Sequence, residues 1–136
     1  MNKYVHKNRI LVAVLMILSF NTWAADQSEL LNQYLRQGAT SLSADRGQKL
    51  WYGTINGEAP FTKRSCTSCH TKNSKNIGRH IRTNKAIKPM APSVNPQILN
   101  NAKKVEKWFK RNCKWTFGRE CTQQEKGDII TYIQTQ

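Results

Sequence analysis

Four stretches of the chain carry apolar residues at the spacing of an amphipathic helix. They cover residues 26–37, 46–53, 102–112 and a final segment that begins at residue 122. The apolar positions within them are Leu30, Leu31, Tyr34, Leu35, Leu50, Trp51, Val105, Trp108, Phe109, Ile129, Ile130, Tyr132 and Ile133. No stretch has a convincing strand pattern and no segment repeats, so the sequence predicts an all-α domain.

Signals at the ends of these segments support the helices. Gly38 is a natural stop for the first, and Ser43 or Asp45 can cap the second. Thr122 opens the capping-box pattern of the last helix. Gly47 interrupts the second helix at a cost of about 1 kcal/mol relative to alanine. Such a glycine either permits close approach of another helix or is a tolerated surface residue, and the pattern leaves both open.

One connection between the helices is long, basic and irregular. It covers residues 71–93, and the three prolines within residues 88–96 keep its end non-helical. Irregular loops longer than ~15 residues are uncommon in compact domains unless they serve a function. We therefore expect this loop to contribute to a site.

Residues 1–24 are typical of a signal peptide. Basic residues precede an apolar run of 11 residues, 10–20, which is short for a membrane span. Small residues then predict cleavage after Ala24, with an uncleaved anchor as the alternative. The remaining residues, 25–136, fit one domain exported to the periplasm.

The chain is strongly basic, with 22 basic and eight acidic side chains and a net charge of +14. The first 24 residues hold three of the basic side chains and none of the acidic ones, so residues 25–136 carry +11. Such a field steers association with acidic partner surfaces. Nucleic acid is a poor candidate, because no nucleic-acid-binding motif is present and export is predicted; weak adhesion to anionic lipid is not excluded.

The sequence Cys66-Thr67-Ser68-Cys69-His70 is the C-x-x-C-H pattern of covalent haem attachment. Cysteines three positions apart lie on one side of a helical turn, where both can form thioethers with the vinyl groups of one porphyrin. His70 then presents its imidazole to the iron as the proximal ligand. A thioredoxin-like pair needs a βαβ context that is lacking, and a zinc site needs four ligands. We therefore predict one haem c, held covalently by Cys66 and Cys69.

The other two cysteines, Cys113 and Cys121, bracket a short loop that contains Gly118. In an exported protein, two cysteines outside the haem motif most simply form a disulfide bond. Closing this small loop is expected to contribute ~2–3 kcal/mol to stability.

The ligand on the other face of the iron decides the function, and three side chains are candidates. Met90 would make a high-potential electron shuttle but lies only 20 residues after His70. His80 would give a bis-histidine iron, although it lies among exposed basic residues. Asn112 follows an apolar helix face beside Cys113, and its amide oxygen is a weak, displaceable ligand. Apolar packing of Met90 and an ordinary helix-end role for Asn112 explain both residues equally well, so spacing and chemistry leave the choice open.

The long basic loop offers partners for the haem propionates. Arg79, Arg82 and Lys85 could form charge-assisted hydrogen bonds with them, although a solvated basic loop explains any one of these residues equally well. A proline carbonyl within residues 88–96 could accept the Nδ1 proton of His70.

Several sequence blocks match a known family. They are Asp45-Arg46-Gly47 with Leu50-Trp51, residues 65–71, residues 89–96, residues 104–113, residues 118–122 and residues 125–128. On these blocks, and most specifically on those after residue 103, the chain resembles the sphaeroides haem protein (SHP) family of monohaem class I cytochromes c. The resemblance covers most of residues 25–136.

The resemblance implies a class I cytochrome c fold, in which the helix containing Gly47 crosses the last helix near Tyr132. It also implies that His70 is the proximal ligand and Asn112 the distal ligand, with a Cys113–Cys121 disulfide beside the distal side.

The resemblance also implies a function. The family binds oxygen, nitric oxide or carbon monoxide when reduction releases the asparagine, and its position matching Met90 need not be methionine. It is similar to proteins that take electrons from a dihaem cytochrome c and a membrane cytochrome b. This chain departs from the family pattern in its more basic residues 72–88, with His80 among them.

The sequence thus predicts an exported monohaem cytochrome c that transfers electrons and binds diatomic gases, rather than a classical enzyme. Three alternatives stay open: a simple electron shuttle with His70 and Met90 as ligands, an enzyme that converts oxygen or nitric oxide, and a thiol protein without haem.

Overall fold

The computed structural model describes residues 22–136, with side chains from residue 27 onward. Its helices are α1 Thr22–Arg36, α2 Ala44–Tyr52, α3 Thr67–His70, α4 Ala102–Phe117 and α5 Gln123–Gln134. Its short strands are β1 Ile55–Asn56, β2 Lys63–Arg64, β3 Gly78–Arg79 and β4 Ala86–Ile87. The predicted signal peptide falls, except for its last three positions, outside these residues. Within the described part, no helix combines the length and apolarity needed to cross a membrane.

The four helices predicted from the apolar pattern correspond to α1, α2, α4 and α5, so the mainly helical fold is confirmed. The predicted end of the third helix at Asn112 is wrong. The helix continues to Phe117 and stops at Gly118, which adopts a φ of 72° and donates its N–H to the Lys114 carbonyl. A left-handed glycine is a common helix terminator, whereas the polar Asn112 lies within the helix.

The described part of the chain also contains four short strands, which no apolar pattern in the sequence indicated. Strands β1 and β2 pair antiparallel, with Ile55 opposite Arg64, and β3 pairs with β4, with Gly78 opposite Ile87. Each strand has only two residues, which is too short for an alternating pattern to be recognised. The second hairpin lies within the predicted irregular loop of residues 71–93 and gives that loop a fixed shape.

The core forms where the helices meet. Its buried residues are Leu30, Tyr34, Ala39, Trp51, Leu99, Val105, Ile129, Ile130, Tyr132 and Ile133. They come from α1, α2, α4, α5 and the connections before α2 and before α4, and most are apolar positions of the predicted helices. Burial of these side chains provides the main stabilisation of the fold.

Helices α2 and α5 cross in close contact at Gly47. A Cβ atom on Gly47 would lie 2.0 Å from the backbone oxygen of Asp128 and 2.7 Å from Cβ of Tyr132. Of the two interpretations of this glycine, close helix approach is therefore the right one. The expected crossing of this helix with the last helix near Tyr132 is confirmed.

A buried carboxylate fixes this crossing. Asp128 is 2 % exposed and accepts hydrogen bonds from the Ser43 N–H at 2.7 Å and from Arg46 Nε at 2.7 Å. Ser43 in turn caps α2 by accepting from the Arg46 N–H. Because a buried charge is stable only with such partners, these contacts set the position of α2, and with it Trp51, relative to α5.

Candidate haem site

The Cys66–His70 motif forms a single helical turn that begins at a buried serine. Ser65 donates its N–H to the Ser68 hydroxyl at 3.0 Å, and its own hydroxyl lies 2.7 Å from that of Thr67. The His70 N–H donates to the Cys66 carbonyl at 3.1 Å, and the turn ends at Thr71, which has a φ of 62°. The two cysteines and the histidine are therefore held on one helical turn, at the spacing that haem attachment requires.

Hairpin β3–β4 packs against this turn through a glycine. A Cβ on Gly78 would lie 2.2 Å from the Cys69 carbonyl oxygen and 3.1 Å from Cα of His70. The hairpin backbone can approach the motif this closely only because residue 78 has no side chain. The chain after the motif is held by Tyr52 of α2, whose hydroxyl donates to the Lys72 carbonyl at 2.8 Å.

The His70 ring lies beside Trp51, with 5.4 Å between the ring centroids and 35° between the ring planes. Burial lowers the pKa of His70 to about 4, so the imidazole is neutral at physiological pH. Neutral imidazole is the form that binds a metal. Its Nδ1 atom is buried without a hydrogen-bond partner in the part of the chain that the structure describes. The expected bond from this atom to a proline carbonyl is absent there, and the Pro89 carbonyl instead accepts from the Asn95 amide at 2.8 Å.

Cys66 and Cys69 are both free thiols. Burial raises the pKa of the Cys66 thiol to about 12, which keeps that thiol protonated. Thiol–disulfide exchange needs the thiolate, so this burial disfavours a reactive redox pair at the motif. Among residues 27–136, moreover, no three His, Cys, Asp or Glu side chains lie together as a metal-binding group.

Asn112 lies in the interior of α4 and is exposed. Its spacing from Trp108 and Trp115, four residues before and three residues after it, places all three on one helix face. Trp108 is 47 % exposed and carries the Arg111 guanidinium at 5.8 Å from its ring centroid. The Asn112 side chain makes no hydrogen bond to any residue in the described range. Its amide is thus available to bind a ligand or a metal.

The predicted disulfide bond between Cys113 and Cys121 is confirmed, with a Cα–Cα distance of 5.6 Å. Cys113 is buried within α4, and Cys121 directly precedes Thr122, the residue that caps α5. The capping box of Thr122 and Glu125 is also confirmed. The bond therefore ties the backbone next to Asn112 to the start of α5.

Replacing both cysteines of this bond, with Cys113→Ala and Cys121→Ala, should lower the free energy of unfolding by about 2–3 kcal/mol. The loss arises because the unfolded chain is no longer cross-linked. Guanidinium denaturation of the purified protein measures this as a lower midpoint, with a steeper slope because the unfolded chain without the cross-link exposes more surface. An unchanged midpoint would mean that the bond constrains neither state.

The structure places the other two candidate ligands in different surroundings. Met90 is partly buried and packs against the core, and its N–H donates to the Ser74 carbonyl at 2.8 Å. His80 is exposed in the turn of hairpin β3–β4, where its Nδ1 lies 3.2 Å from the Thr83 backbone nitrogen, within hydrogen-bonding distance. The position of Met90 is explained by packing against the core, and that of His80 by its contact within the turn, so neither position requires a bound metal.

A cavity of about 490 Å³ lies beside hairpin β1–β2, and none of residues 66–70 lines it. Of the three basic residues predicted to contact propionates, only Arg82 lines it. Arg79 instead donates to the Asn84 carbonyl at 3.2 Å, and Lys85 is exposed. The cavity is also lined by Arg64, two residues before Cys66, and by Trp115.

The features of the motif agree with a covalently held haem. The His70 ring is neutral and carries an unpartnered buried nitrogen, and the two free cysteines lie one helical turn apart. A haem bound here would be held by Cys66 and Cys69 and ligated by His70.

Comparison with known proteins supports a covalently attached haem c. Residues 37–133 match a family described as "Domain of unknown function (DUF1924)". Cytochrome c-type protein SHP of Cereibacter sphaeroides is 36 % identical over 122 residues, which cover 88 % of this chain and 93 % of that protein. Cytochrome c'' of Methylophilus methylotrophus is 40 % identical over 72 residues, 53 % of this chain and 50 % of that protein.

Two solved structures have the same fold. Oxidised SHP, described as an oxygen-binding cytochrome c, superposes with a TM-score of 0.73 at 34 % identity, covering 81 % of this chain and 96 % of SHP. Oxidised cytochrome c'' from Methylophilus methylotrophus also gives 0.73, at 28 % identity, covering 82 % of this chain and 95 % of cytochrome c''. A solution structure of the latter concerns the structural basis of haem-ligand detachment. The chain thus has the cytochrome c fold and one covalently attached haem c, and it belongs to the SHP family of monohaem c-type cytochromes.

Proposed function

We propose that this cytochrome transfers electrons and binds small diatomic ligands at its haem iron when reduction releases Asn112. Oxygen, nitric oxide and carbon monoxide are the ligands of this class. The observation that carries the proposal is the Asn112 side chain, which is exposed in the interior of α4 and has no hydrogen-bond partner among the described residues.

An amide oxygen is a neutral and weak metal ligand. A haem iron supplies one-electron redox chemistry, and once reduced it prefers nitrogen or π-acceptor ligands to such an oxygen. Since the Asn112 amide makes no other bond in the described part of the chain, its release breaks no hydrogen bond within the protein. Release on reduction is therefore inexpensive.

The backbone around Asn112 is held while its side chain is free to move. The residue lies within a continuous helix, and the adjacent Cys113 is bonded to Cys121 at the start of α5. A rotation about the side-chain bonds of Asn112 would then be enough to withdraw its amide from the iron of a bound haem. The packing of Trp51 and Gly78 holds the His70 turn fixed.

The relatives agree with this proposal. SHP is described as oxygen-binding, and cytochrome c'' has been studied for haem-ligand detachment. Both properties are what a displaceable distal ligand gives.

The simple electron shuttle, with Met90 as the second ligand, is the alternative. Met90 packs against the core and its backbone is bonded to Ser74, so it already has a structural role. The variants Asn112→Ala and Met90→Ala, which remove side chains of similar reach from the two candidate positions, separate the two functions.

The oxidised Asn112→Ala protein should show an altered visible spectrum with high-spin features, because the iron has lost its distal ligand. Met90→Ala should keep the spectrum of the unaltered protein. Absorption spectra of the purified oxidised proteins give the answer. A change in Met90→Ala alone, together with a thioether absorption band in the unaltered protein, would establish the shuttle.

We also propose periplasmic location and an acidic electron donor. The signal-peptide pattern of residues 1–24 supports export, and the charge of +11 on residues 25–136 favours an acidic partner surface. By family resemblance the donors are a dihaem cytochrome c and a membrane cytochrome b. Catalytic conversion of oxygen or nitric oxide would appear as multiple turnovers with a supplied reductant, whereas a binding protein would bind one ligand per haem.

A further inference from the structure

Three aromatic rings in mutual contact connect the histidine of the haem motif with the protein surface. The centroid of the Trp51 ring lies 5.4 Å from that of His70 and 6.1 Å from that of Tyr132. The Tyr132 ring lies in turn 6.3 Å from the ring of Tyr52. Trp51 and Tyr132 are 3 % and 4 % exposed, whereas Tyr52 is 40 % exposed. Trp51, Tyr132 and Tyr52 therefore form an aromatic row that begins at the motif and ends in solvent.

Such a row has a chemical use beside a haem that binds oxygen. Oxygen that takes up two electrons and two protons becomes hydrogen peroxide, so a haem supplied with electrons in the presence of oxygen is exposed to this oxidant. Peroxide at the iron removes electrons from the groups that release them most readily. Indole and phenol side chains are such groups, and rings in contact pass an electron from one to the next.

The protons of the three rings favour Tyr52 as the place where oxidation ends. Nε1 of Trp51 is buried without a hydrogen-bond partner in the described part of the chain, so an oxidised indole there has no group to take its proton. Burial raises the pKa of Tyr132, whose hydroxyl donates to the Tyr52 hydroxyl at 3.3 Å. Of the three rings, Tyr52 alone reaches the solvent, where water accepts its phenolic proton.

We propose that Tyr52 supplies an electron to the haem when the reduced cytochrome meets hydrogen peroxide, with Tyr132 and Trp51 as the path. One peroxide molecule takes one electron from ferrous iron and one from Tyr52. Its O–O bond breaks to give two hydroxide ions, and the phenolic proton converts one of them to water. The protein is left with ferric iron and a neutral tyrosyl radical at Tyr52.

This inference rests on the proposed function, because peroxide must reach an iron whose distal position opens on reduction. It adds a protective activity to that function. An electron from Tyr52 spares the porphyrin and the buried core, and it leaves the radical at the surface, where a soluble reductant restores the phenol by giving up one hydrogen atom.

The experiment locates the radical in the intact cytochrome. The protein is reduced, freed of excess reductant without air, and mixed with an equimolar amount of hydrogen peroxide and a nitroso spin trap. Mass spectrometry of proteolytic peptides should find the trap on Tyr52. Tyr52→Phe should lose this adduct, and its haem absorbance should bleach several times faster. Trp51→Phe, which keeps an aromatic ring in the core, should lose the adduct although Tyr52 is still present.

Tyr34→Phe is the matched control, because it removes a phenol that is buried and bonded to Glu106, outside the aromatic row. The adduct on Tyr52 should persist in this variant, and it should be absent when carbon monoxide occupies the iron. An adduct on Tyr52 that survives Trp51→Phe or carbon monoxide would overturn the proposal, because the electron would then bypass the row or the iron.

Carbon monoxide uptake separates this test from that of the proposed function. Normal uptake by the reduced protein, without an adduct on Tyr52 after peroxide, would overturn the relay alone and show that the three rings only pack. Absence of both uptake and adduct would overturn the relay and the proposed function together.

Discussion

The double variant Cys66→Ala, Cys69→Ala is expected to lose its haem entirely. The two sulfurs provide both covalent links, so no haem should remain with the polypeptide after denaturation. The measurement is a haem stain of the denatured protein after electrophoresis. The unaltered protein should stain, and the variant should be colourless.

The second pair of cysteines provides the matched control for this experiment. Cys113→Ala, Cys121→Ala removes the same number of sulfur atoms but only the disulfide bond, so its haem stain should persist. Staining of the Cys66→Ala, Cys69→Ala variant would contradict the assignment of the motif. So would loss of staining in the folded control variant, because it would place a haem link at the wrong cysteines.

The Gly47→Ala variant should be destabilised by about 3 kcal/mol. The added Cβ would lie 2.0 Å from the Asp128 backbone oxygen, at a position where α2 and α5 are already in contact. Neither backbone can move without disturbing the ion pair between the buried Asp128 and Arg46. The gain in helix propensity on replacing glycine by alanine, about 1 kcal/mol, is too small to offset the clash.

Guanidinium denaturation measures this loss against Gln48→Ala, a substitution at the neighbouring exposed position of the same helix. That control should change the free energy of unfolding by no more than about 0.5 kcal/mol. Equal stability of the two variants would show that the helices can separate at no cost, which contradicts the close crossing.

The parts of the fold that the sequence predicts well are those that depend on local rules. The apolar spacing of Ile129, Ile130 and Ile133 and the capping box at Thr122 both reflect contacts within one helix or one turn, and the structure has α5 where they indicate it. The haem motif is likewise a local pattern, because its chemistry needs cysteines and histidine at fixed separations along the chain. The disulfide followed from the absence of any other role for the two remaining cysteines.

The parts that the sequence did not reveal depend on contacts between distant segments. Hairpin β3–β4 has two residues per strand, and its position is set by the fit of Gly78 against the Cys69 carbonyl. The Arg64 guanidinium lies over the ring of Trp115, which is more than fifty residues later in the chain. Neither contact produces a periodic pattern of apolar residues in the sequence. The predicted end of the third helix at Asn112 was wrong for a different reason. Arg111 and Asn112 are polar residues within the helix, and they resemble a helix end until Gly118, the actual terminator, is considered.

The two proposed iron ligands, His70 and Asn112, differ in how firmly their side chains are held. His70 lies in a turn that contacts Trp51, Gly78 and the chain held by Tyr52. Asn112 has a fixed backbone but an amide free of hydrogen bonds to the described residues. A firmly held histidine, and an amide without hydrogen bonds to the described residues, are what the proposed ligand exchange needs.

The central claim is that reduction frees the distal position of the iron, and carbon monoxide tests it most directly. The purified cytochrome, reduced anaerobically and mixed with carbon monoxide, should be high-spin before mixing and bind the gas without a slow phase. Met90→Ala should behave in the same way. A reduced protein that is low-spin and inert to carbon monoxide, and becomes reactive only after Met90→Ala, would contradict the account and identify an electron shuttle.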